Sequence, residues 1–282
     1  MTFSSQLPYA LFLPRACVRE RQVDWMTAIH LQCETRRTRR EMPDHTVHAY
    51  DDELTDLARK IAEMGGLAEE QIAAAVAALA ANDVALAQEV IEKDQRIDRL
   101  HREVEDGATL MIARRQPMAL DLRDIVGAMH IARDLERVGD HAKNTAKRVF
   151  AVEGSFAIPR LVVGVEHIAE LSLGALKAVL DAYAARDAAA ARNVWERDDE
   201  IDAVHTSLFR ELLTYMMEDP RSITFCTHLL FCAKNLERIG DHATNIAETV
   251  LYLISGSRLS EERPKKDASP MTSVAYKAAG LQ

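Results

Sequence analysis

Leu-Glu-Arg-Val-Gly-Asp-His-Ala-Lys-Asn at residues 135–144 returns as Leu-Glu-Arg-Ile-Gly-Asp-His-Ala-Thr-Asn at residues 236–245, with eight of the ten positions identical. A shorter segment with the pattern Asp-x-x-Ile-Asp-x-x-His precedes each copy, at residues 94–101 and 198–205. Self-similarity at a fixed, long separation indicates two copies of one structural unit. The chain therefore consists of two related halves.

Composition and apolar spacing favour helices in both halves. Glycine is scarce, aromatic residues make up 5% of the chain, and alanine, leucine, valine and isoleucine fill much of the remainder, as is typical of helical proteins. The apolar period predicts helices over residues 51–80, 83–115 and 121–150, and again over 159–185, 187–218 and 222–254. Three antiparallel helices joined by short turns can bury a shared apolar stripe. We expect an all-α fold of six long helices, forming two tandem three-helix bundles at residues 44–152 and 153–256.

The two ends of the chain break this pattern. Residues 1–41 hold seven arginines against four acidic residues and show no sustained helical period. We expect this N-terminal extension, residues 1–43, to be disordered or artefactual, with Met42 as an alternative start; a basic arm for nucleic acid or membrane is the other interpretation. The tail at residues 257–282 contains Pro264 and Pro270 and has no apolar period, which predicts disorder.

Four pairs of carboxylates recur at a spacing of one helical turn. They are Asp94 with Asp98, Glu136 with Asp140, Asp198 with Asp202, and Glu237 with Asp241. In the third and sixth helices, at 100° per residue, the acids lie opposite an apolar stripe. The stripes are Ala128, Ala132, Leu135, Val138, Ala142 and Val149 in the third helix, and Leu229, Ala233, Leu236, Ile239, Ala243 and Val250 in the sixth. We therefore expect the carboxylates on the outer surface of each bundle.

Such acid pairs have a chemical use. Two like charges one turn apart repel by a few tenths of a kcal/mol unless something neutralises them. Adjacent helices would bring two pairs in each half to one patch, where oxygen ligands suit magnesium, calcium, manganese or iron. We interpret the acids as metal ligands. The alternative is a solvated face whose carboxylates pair with bases such as Arg137 and Arg238.

Further polar side chains accompany these acids, and they are candidates for supporting a site. They are Arg137, Asn144, Arg238, Asn245, His101 and His205. The two histidines are either additional ligands or partly buried supports. Gly139 and Gly240 lie in the middle of helices at a cost of roughly 1 kcal/mol relative to alanine. This indicates the close approach of another helix or a ligand at each copy.

Composition and motifs argue against several classes of protein. A net charge of -9 is unsuited to gripping nucleic acid, which requires basic surface. No apolar run reaches the roughly 18 residues of a membrane span, and the four cysteines lack a CxxC pair, which favours a reducing, cytoplasmic location. There is no Ser-His-Asp order, P-loop or glycine-rich phosphate loop, so we expect no catalytic residues.

The doubled segment at residues 135–144 and 236–245, with the Asp-x-x-Ile-Asp segments before each copy, resembles the PhoU family of phosphate-specific transport system accessory proteins. The resemblance covers about residues 44–256, and residues 1–41 are a departure from the family pattern. It implies two tandem three-helix bundles. It also implies clusters of iron, manganese, magnesium or zinc held by (Glu/Asp)-x-x-x-Asp motifs, of which all four are intact here.

The same resemblance implies a role. It implies a negative regulator of phosphate uptake and of the phosphate-starvation response. The implied partners are the ATPase subunit of a phosphate ABC transporter and a PhoR-type sensor histidine kinase. The resemblance also implies a homodimer or higher oligomer, which would contact the membrane only through these partners. The leading hypothesis is thus a metal-binding adaptor without enzymatic activity. The alternative is a metal-dependent enzyme, such as a phosphohydrolase, which turnover assays on phosphate esters would reveal.

Overall fold

The computed structural model of the protein describes residues 44–118, 120–152, 159–261 and 263. In these ranges the chain forms seven α-helices and one short 3-10 turn, and it contains no strand. The helices are α1 (Asp44–Ala81), α2 (Val84–Arg115), α3 (Leu120–Val152), α4 (Pro159–Ala185), α5 (Ala188–Glu196), α6 (Asp198–Glu218) and α7 (Ile223–Ser255), with the 3-10 turn at Pro220–Ser222. The predicted all-α class is confirmed.

Carboxylate caps begin the second helix of each half at corresponding places. The side chain of Asp83 accepts a hydrogen bond from the backbone N–H of Leu86 at 3.0 Å. Asp187 likewise accepts one from the backbone N–H of Ala189 at 2.8 Å. A carboxylate here satisfies N–H groups that lack a partner within the helix and interacts favourably with the helix dipole. The two halves thus use the same turn chemistry.

The second half departs from three helices, because the helix predicted over residues 187–218 is broken at Arg197. The helix α5 ends at Glu196, and α6 begins at Asp198. Asp198, Asp199 and Glu200 form the first turn of α6, where acidic side chains favour a helix N-terminus, whereas consecutive acids in the middle of a helix repel. The first half keeps one continuous helix here and has Lys93, Gln95 and Arg96 around its aspartate.

The two halves share one continuous hydrophobic core instead of two separate cores. Helices α3 and α7 pack against each other in antiparallel orientation, and α1 packs against α4. At the α3–α7 contact the guanidinium of Arg148 lies 4.3 Å from the ring centroid of Phe231. The helices α2, α5 and α6 flank this central layer. The bundles predicted in tandem are therefore joined along four of their helices.

A pair of histidines marks the middle of the α3–α7 contact. The rings of His141 and His242 stack with centroids 5.6 Å apart, and His242 Nδ1 lies 2.9 Å from Asp134 Oδ1. Burial, followed by the neighbouring charge of His242, lowers the pKa of His141 to about 4. His141 is therefore neutral at neutral pH. The position corresponding to Asp134 holds Asn235 in the second copy, so the contact is only approximately symmetric.

The predicted apolar stripes of α3 and α7 are confirmed, since every residue in them is buried. None of the helices in the described ranges is both long and apolar enough to cross a membrane. The predictions for residues 1–43 and 264–282 lie outside the described residues. Residues 257–261 and Arg263 are described, and they contact the second half, which the sequence did not predict.

Glycines in α4 and α7 offer a test of how closely the helices pack. A β-carbon on Gly240 would lie 2.6 Å from Cδ1 of the buried Ile201, whereas one on Gly174 would meet nothing within 4 Å. We expect Gly240→Ala to lower the free energy of unfolding by about 1 kcal/mol, because overpacking outweighs the gain in helix propensity. Gly174→Ala, the matched control, should raise it by up to about 1 kcal/mol. Urea denaturation of both variants measures the difference, and equal effects would contradict the close approach of α6 to α7.

Candidate metal sites between the helices

The four acid pairs form two groups, each in the groove between two helices. The first cluster comprises Asp94, Asp98, Glu136 and Asp140 from α2 and α3. The second cluster comprises Asp198, Asp202, Glu237 and Asp241 from α6 and α7. The expectation of an outer, exposed face was wrong for half of these residues: Asp94 is 2% exposed, and Asp198, Asp202 and Glu237 are each 5% exposed. The other four are partly buried. The helical periodicity gives the direction of a side chain relative to its own helix axis only. In the folded chain the neighbouring helix covers the acids, so that they are shielded from solvent.

Lys143 neutralises the first cluster. Its Nζ donates to Asp94 Oδ2 at 2.5 Å and to Asp140 Oδ1 at 2.6 Å. Asp94 belongs to α2 and Asp140 to α3, so one ammonium group joins the acid stripes of both helices. Sequence reasoning missed this residue, although Lys143 is one of only two positions at which the doubled segment differs between its copies. That difference was the available signal.

Burial and mutual repulsion shift the ionisation of this cluster. Burial raises the pKa of Asp94, against the lowering effect of Lys143. Burial and then the charge of Asp140 raise the pKa of Glu136. Burial by itself would lower the pKa of Lys143, but its hydrogen bonds to Asp140 and Asp94 outweigh burial and raise it. These directions describe carboxylates that are crowded together and require positive charge.

A buried amide adjoins the first cluster. Gln71 on α1 is 2% exposed, and neither its Nε2 nor its Oε1 has a hydrogen-bond partner among the described residues. A β-carbon on Gly139 would lie 3.1 Å from Asp94 Oδ1 and 3.4 Å from Gln71 Oε1. The absence of a side chain at Gly139 therefore leaves space for the Asp94 carboxylate and the Gln71 amide oxygen to approach α3. Nothing in the repeat indicated Gln71, because α1 carries no part of the doubled motif.

The second cluster is neutralised from outside the repeat. At the position of Lys143 the second copy has Thr244, whose hydroxyl donates to Asp198 Oδ1 at 2.8 Å but brings no charge. Arg263 provides the charge: its Nε donates to Asp198 Oδ2 at 2.7 Å, and its Nη2 donates to Asp198 Oδ1 at 2.7 Å and to Asp241 Oδ1 at 2.6 Å. This fork against one carboxylate is the strong, oriented form of an arginine ion pair.

Only one of the two carboxylate oxygens of Glu237 has a hydrogen-bond partner among the described residues. Lys234 Nζ donates to its Oε1 at 2.8 Å, while its Oε2 is buried and has no hydrogen-bond partner among the residues that the structure describes. Burial raises the pKa of this carboxyl, and the charges of Asp241 and Asp202 add to the rise. An oxygen in this condition is costly to bury and is a natural contact for a cation.

The predicted supporting residues divide into two kinds. His101 is partly buried, with Nε2 3.4 Å from Glu105 Oε1, and His205 is buried. Arg137 is exposed, with Nε 3.4 Å from Glu136 and Nη1 3.6 Å from Asp140, and Arg238 is also exposed. Asn144 is partly buried, and Asn245 Oδ1 accepts a long hydrogen bond of 3.5 Å from Arg263.

Comparison with known proteins identifies the family to which the repeated motif belongs. The PhoU domain model matches this chain twice, over residues 61–149 and 165–250. The chain belongs to the PhoU family. Both matched ranges contain one copy of the doubled segment, so the predicted resemblance is confirmed.

Relatives and solved structures of the family agree with this assignment. A phosphate-specific transport system accessory protein PhoU homolog from Rhizobium meliloti is 60% identical over 223 residues, which cover 79% of this chain and 94% of the relative. A homolog from Caulobacter vibrioides is 50% identical, over 80% of this chain and 98% of the relative. The crystal structure of PhoU from Pseudomonas aeruginosa superposes with a TM-score of 0.71 at 41% identity, covering 74% of this chain and all of that chain.

The type of ligand in the clusters suits a metal ion better than the arrangement of the side chains does. Within the described ranges, no three histidine, cysteine, aspartate or glutamate side chains are arranged to hold a metal ion. The donors are nevertheless carboxylate oxygens, which suit magnesium, manganese or iron, and the buried Oε2 of Glu237 fits such a cation. Lys143 and Arg263 now provide the positive charge that a metal ion would bring.

Removing Lys143 tests the charge balance of the first cluster. We expect Lys143→Met to lower the free energy of unfolding by about 2 to 3 kcal/mol at pH 7, because Asp94 would remain buried and uncompensated. The loss should shrink as the pH falls towards 4: a carboxyl whose folded pKa is raised costs stability above that pKa and costs nothing once it is protonated in both states. Urea denaturation at several pH values measures this, with the exposed Lys147→Met, one turn away, as the control. A loss independent of pH would contradict the buried ion pair.

Proposed function

We propose that this protein is a negative regulator of phosphate uptake and of the phosphate-starvation response. The supporting observation is the double match to the PhoU domain, together with relatives named phosphate-specific transport system accessory proteins. In this proposal the protein is a cytoplasmic adaptor, a homodimer or higher oligomer, that contacts the ATPase subunit of a phosphate ABC transporter and a PhoR-type sensor histidine kinase.

An exposed apolar turn supports an adaptor role. Met118, which follows α2, and Leu120, the first residue of α3, are 82% and 65% exposed. The corresponding turn of the second half has Asp219 and Arg221, which pair with each other at 2.8 Å. The repeat therefore folds with a polar turn at this place, and apolar side chains in the first copy are not needed for its structure. Exposed apolar surface of this kind favours contact with a partner protein.

Metal binding is the second part of the proposal. Each cluster gathers four carboxylates from two helices, and the pKa values of Asp94, Glu136 and Glu237 are raised by burial. A divalent cation would relieve this crowding and would be held by oxygen ligands. The eight candidate ligands are Asp94, Asp98, Glu136, Asp140, Asp198, Asp202, Glu237 and Asp241. A bound metal would supply positive charge at the α2–α3 and α6–α7 contacts.

Substitution within the clusters tests the metal assignment. We expect the double variant Asp140→Asn, Asp241→Asn to lose at least about tenfold in Mn²⁺ affinity, because one oxygen ligand with its charge is removed from each site. The matched control is Asp52→Asn, Asp106→Asn, which removes two exposed carboxylates of α1 and α2. Isothermal titration measures both. Equal affinity in the two double variants would refute metal ligation by the clusters, and phosphate-ester turnover by the metal-loaded protein would revive the enzyme alternative.

Genetic complementation tests the regulatory role. Deleting the gene should leave phosphate-starvation genes expressed in phosphate-rich medium, and the intact chain should restore repression. The variant Met118→Ser, Leu120→Ser should rescue at least about tenfold less well than the intact chain, because apolar contact with a partner is lost, while its thermal stability is unchanged. Val163→Ser, at another exposed apolar side chain, is the control. Normal repression in the deletion strain would overturn the proposed function.

A further inference from the structure

The segment that follows α7 is fastened to the second half at several points. Gly256 ends α7 in the left-handed conformation with φ 80° and donates its backbone N–H to Tyr252 at 2.9 Å, so the chain can reverse direction there. Leu259 then packs on the edge of the core, and Glu261 accepts a hydrogen bond from Arg192 at 2.9 Å. Arg263 lies at the second cluster.

The contact of Arg263 compensates for a substitution within the repeat. Lys143 neutralises the first cluster from its own helix, but the matching residue of the second copy is Thr244, which cannot. Arg263 therefore supplies a positive charge that the second half requires and that its copy of the motif does not contain.

We propose that residues 257–261 and Arg263 form a latch, in which Arg263 occupies the second cluster and competes with divalent cations for it. This deepens the proposed function by assigning a regulation to one of its sites. A cation entering the first cluster displaces Lys143, which stays attached to α3. A cation entering the second cluster displaces Arg263 and frees residues 257–261. Cation binding at the second cluster thus changes the exposure of residues 257–261.

Tryptic cleavage after Arg258 reports the state of the latch, because Arg258 is exposed while the residues after it are held by Leu259, Glu261 and Arg263. In the metal-free protein, Arg263→Gln should speed this cleavage about tenfold by weakening local attachment. Thr244→Lys, which places a lysine where the first copy has one, should also speed it, since the new ammonium replaces Arg263 at Asp198. Arg221→Gln, which removes an exposed arginine ion pair, is the control. Wild-type cleavage rates in Arg263→Gln would overturn the latch.

Mn²⁺ binding separates the latch from the metal assignment. In a chain whose first cluster is disabled by Asp98→Asn and Asp140→Asn, Arg263→Gln should bind Mn²⁺ about tenfold more tightly, because the competing guanidinium is gone. Mn²⁺ added to the wild type should also accelerate cleavage after Arg258. If Mn²⁺ binds the first cluster but Arg263→Gln leaves the second unchanged, the competition is wrong and the metal assignment stands. If Mn²⁺ binds neither cluster in any variant, the metal assignment and the competition both fail, while the metal-free cleavage rates still decide whether Arg263 holds the segment.

Discussion

The structure of each half depends on neutralising carboxylates that lie between two packed helices. Asp94 on α2 and Asp140 on α3 approach a single point, and Asp198 on α6 and Asp241 on α7 do the same. Removing such charges from water is expensive unless an opposite charge with good hydrogen-bond geometry takes the place of the solvent. Helix pairing and charge compensation are therefore linked here, because packing the helices together buries carboxylates whose cost a cationic side chain offsets.

The two halves solve this problem with different parts of the chain. The first half uses Lys143, one turn along the same helix from its acid pair. The second half uses Arg263, from beyond the end of its last helix. The internal repeat thus combines a constant set of carboxylates with two different sources of the compensating charge. Under the proposed latch, this difference gives two chemically similar clusters separate consequences when a cation binds.

The helices that join the two halves also carry part of each cluster. Helices α3 and α7 each present an apolar stripe that is fully buried, and they meet at the stacked His141 and His242. The residue before each histidine, Asp140 or Asp241, belongs to a cluster. One helix pair therefore forms the contact between the halves on one side and carries acids of both clusters on the other. Each cluster therefore includes a residue next to one of the stacked histidines at the contact between the halves.

Local patterns in the sequence were sufficient for the fold class, the repeat and the positions of the core stripes. These properties follow from helical periodicity and capping, which depend on residues a few positions apart. The break at Arg197 was missed, although three consecutive acids after it indicated a helix start. The family, the acid pairs and the close approach at Gly139 and Gly240 were also readable from the motif itself.

Only the tertiary structure decided which groups face the acids across the helix contacts. Lys143 and Asp94 are 49 residues apart, and Arg263 and Asp198 are 65 residues apart, and no periodicity connects such positions. The burial of Asp94, Asp198, Asp202 and Glu237 was unexpected for the same reason: a helix's own register gives the direction of a side chain but not what lies in that direction. The sequence by itself determined which carboxylates would be paired along each helix, because a spacing of four residues is local. Their burial and their compensating cations were decided by packing, because the cost of a buried charge depends on neighbours that only the folded chain brings near.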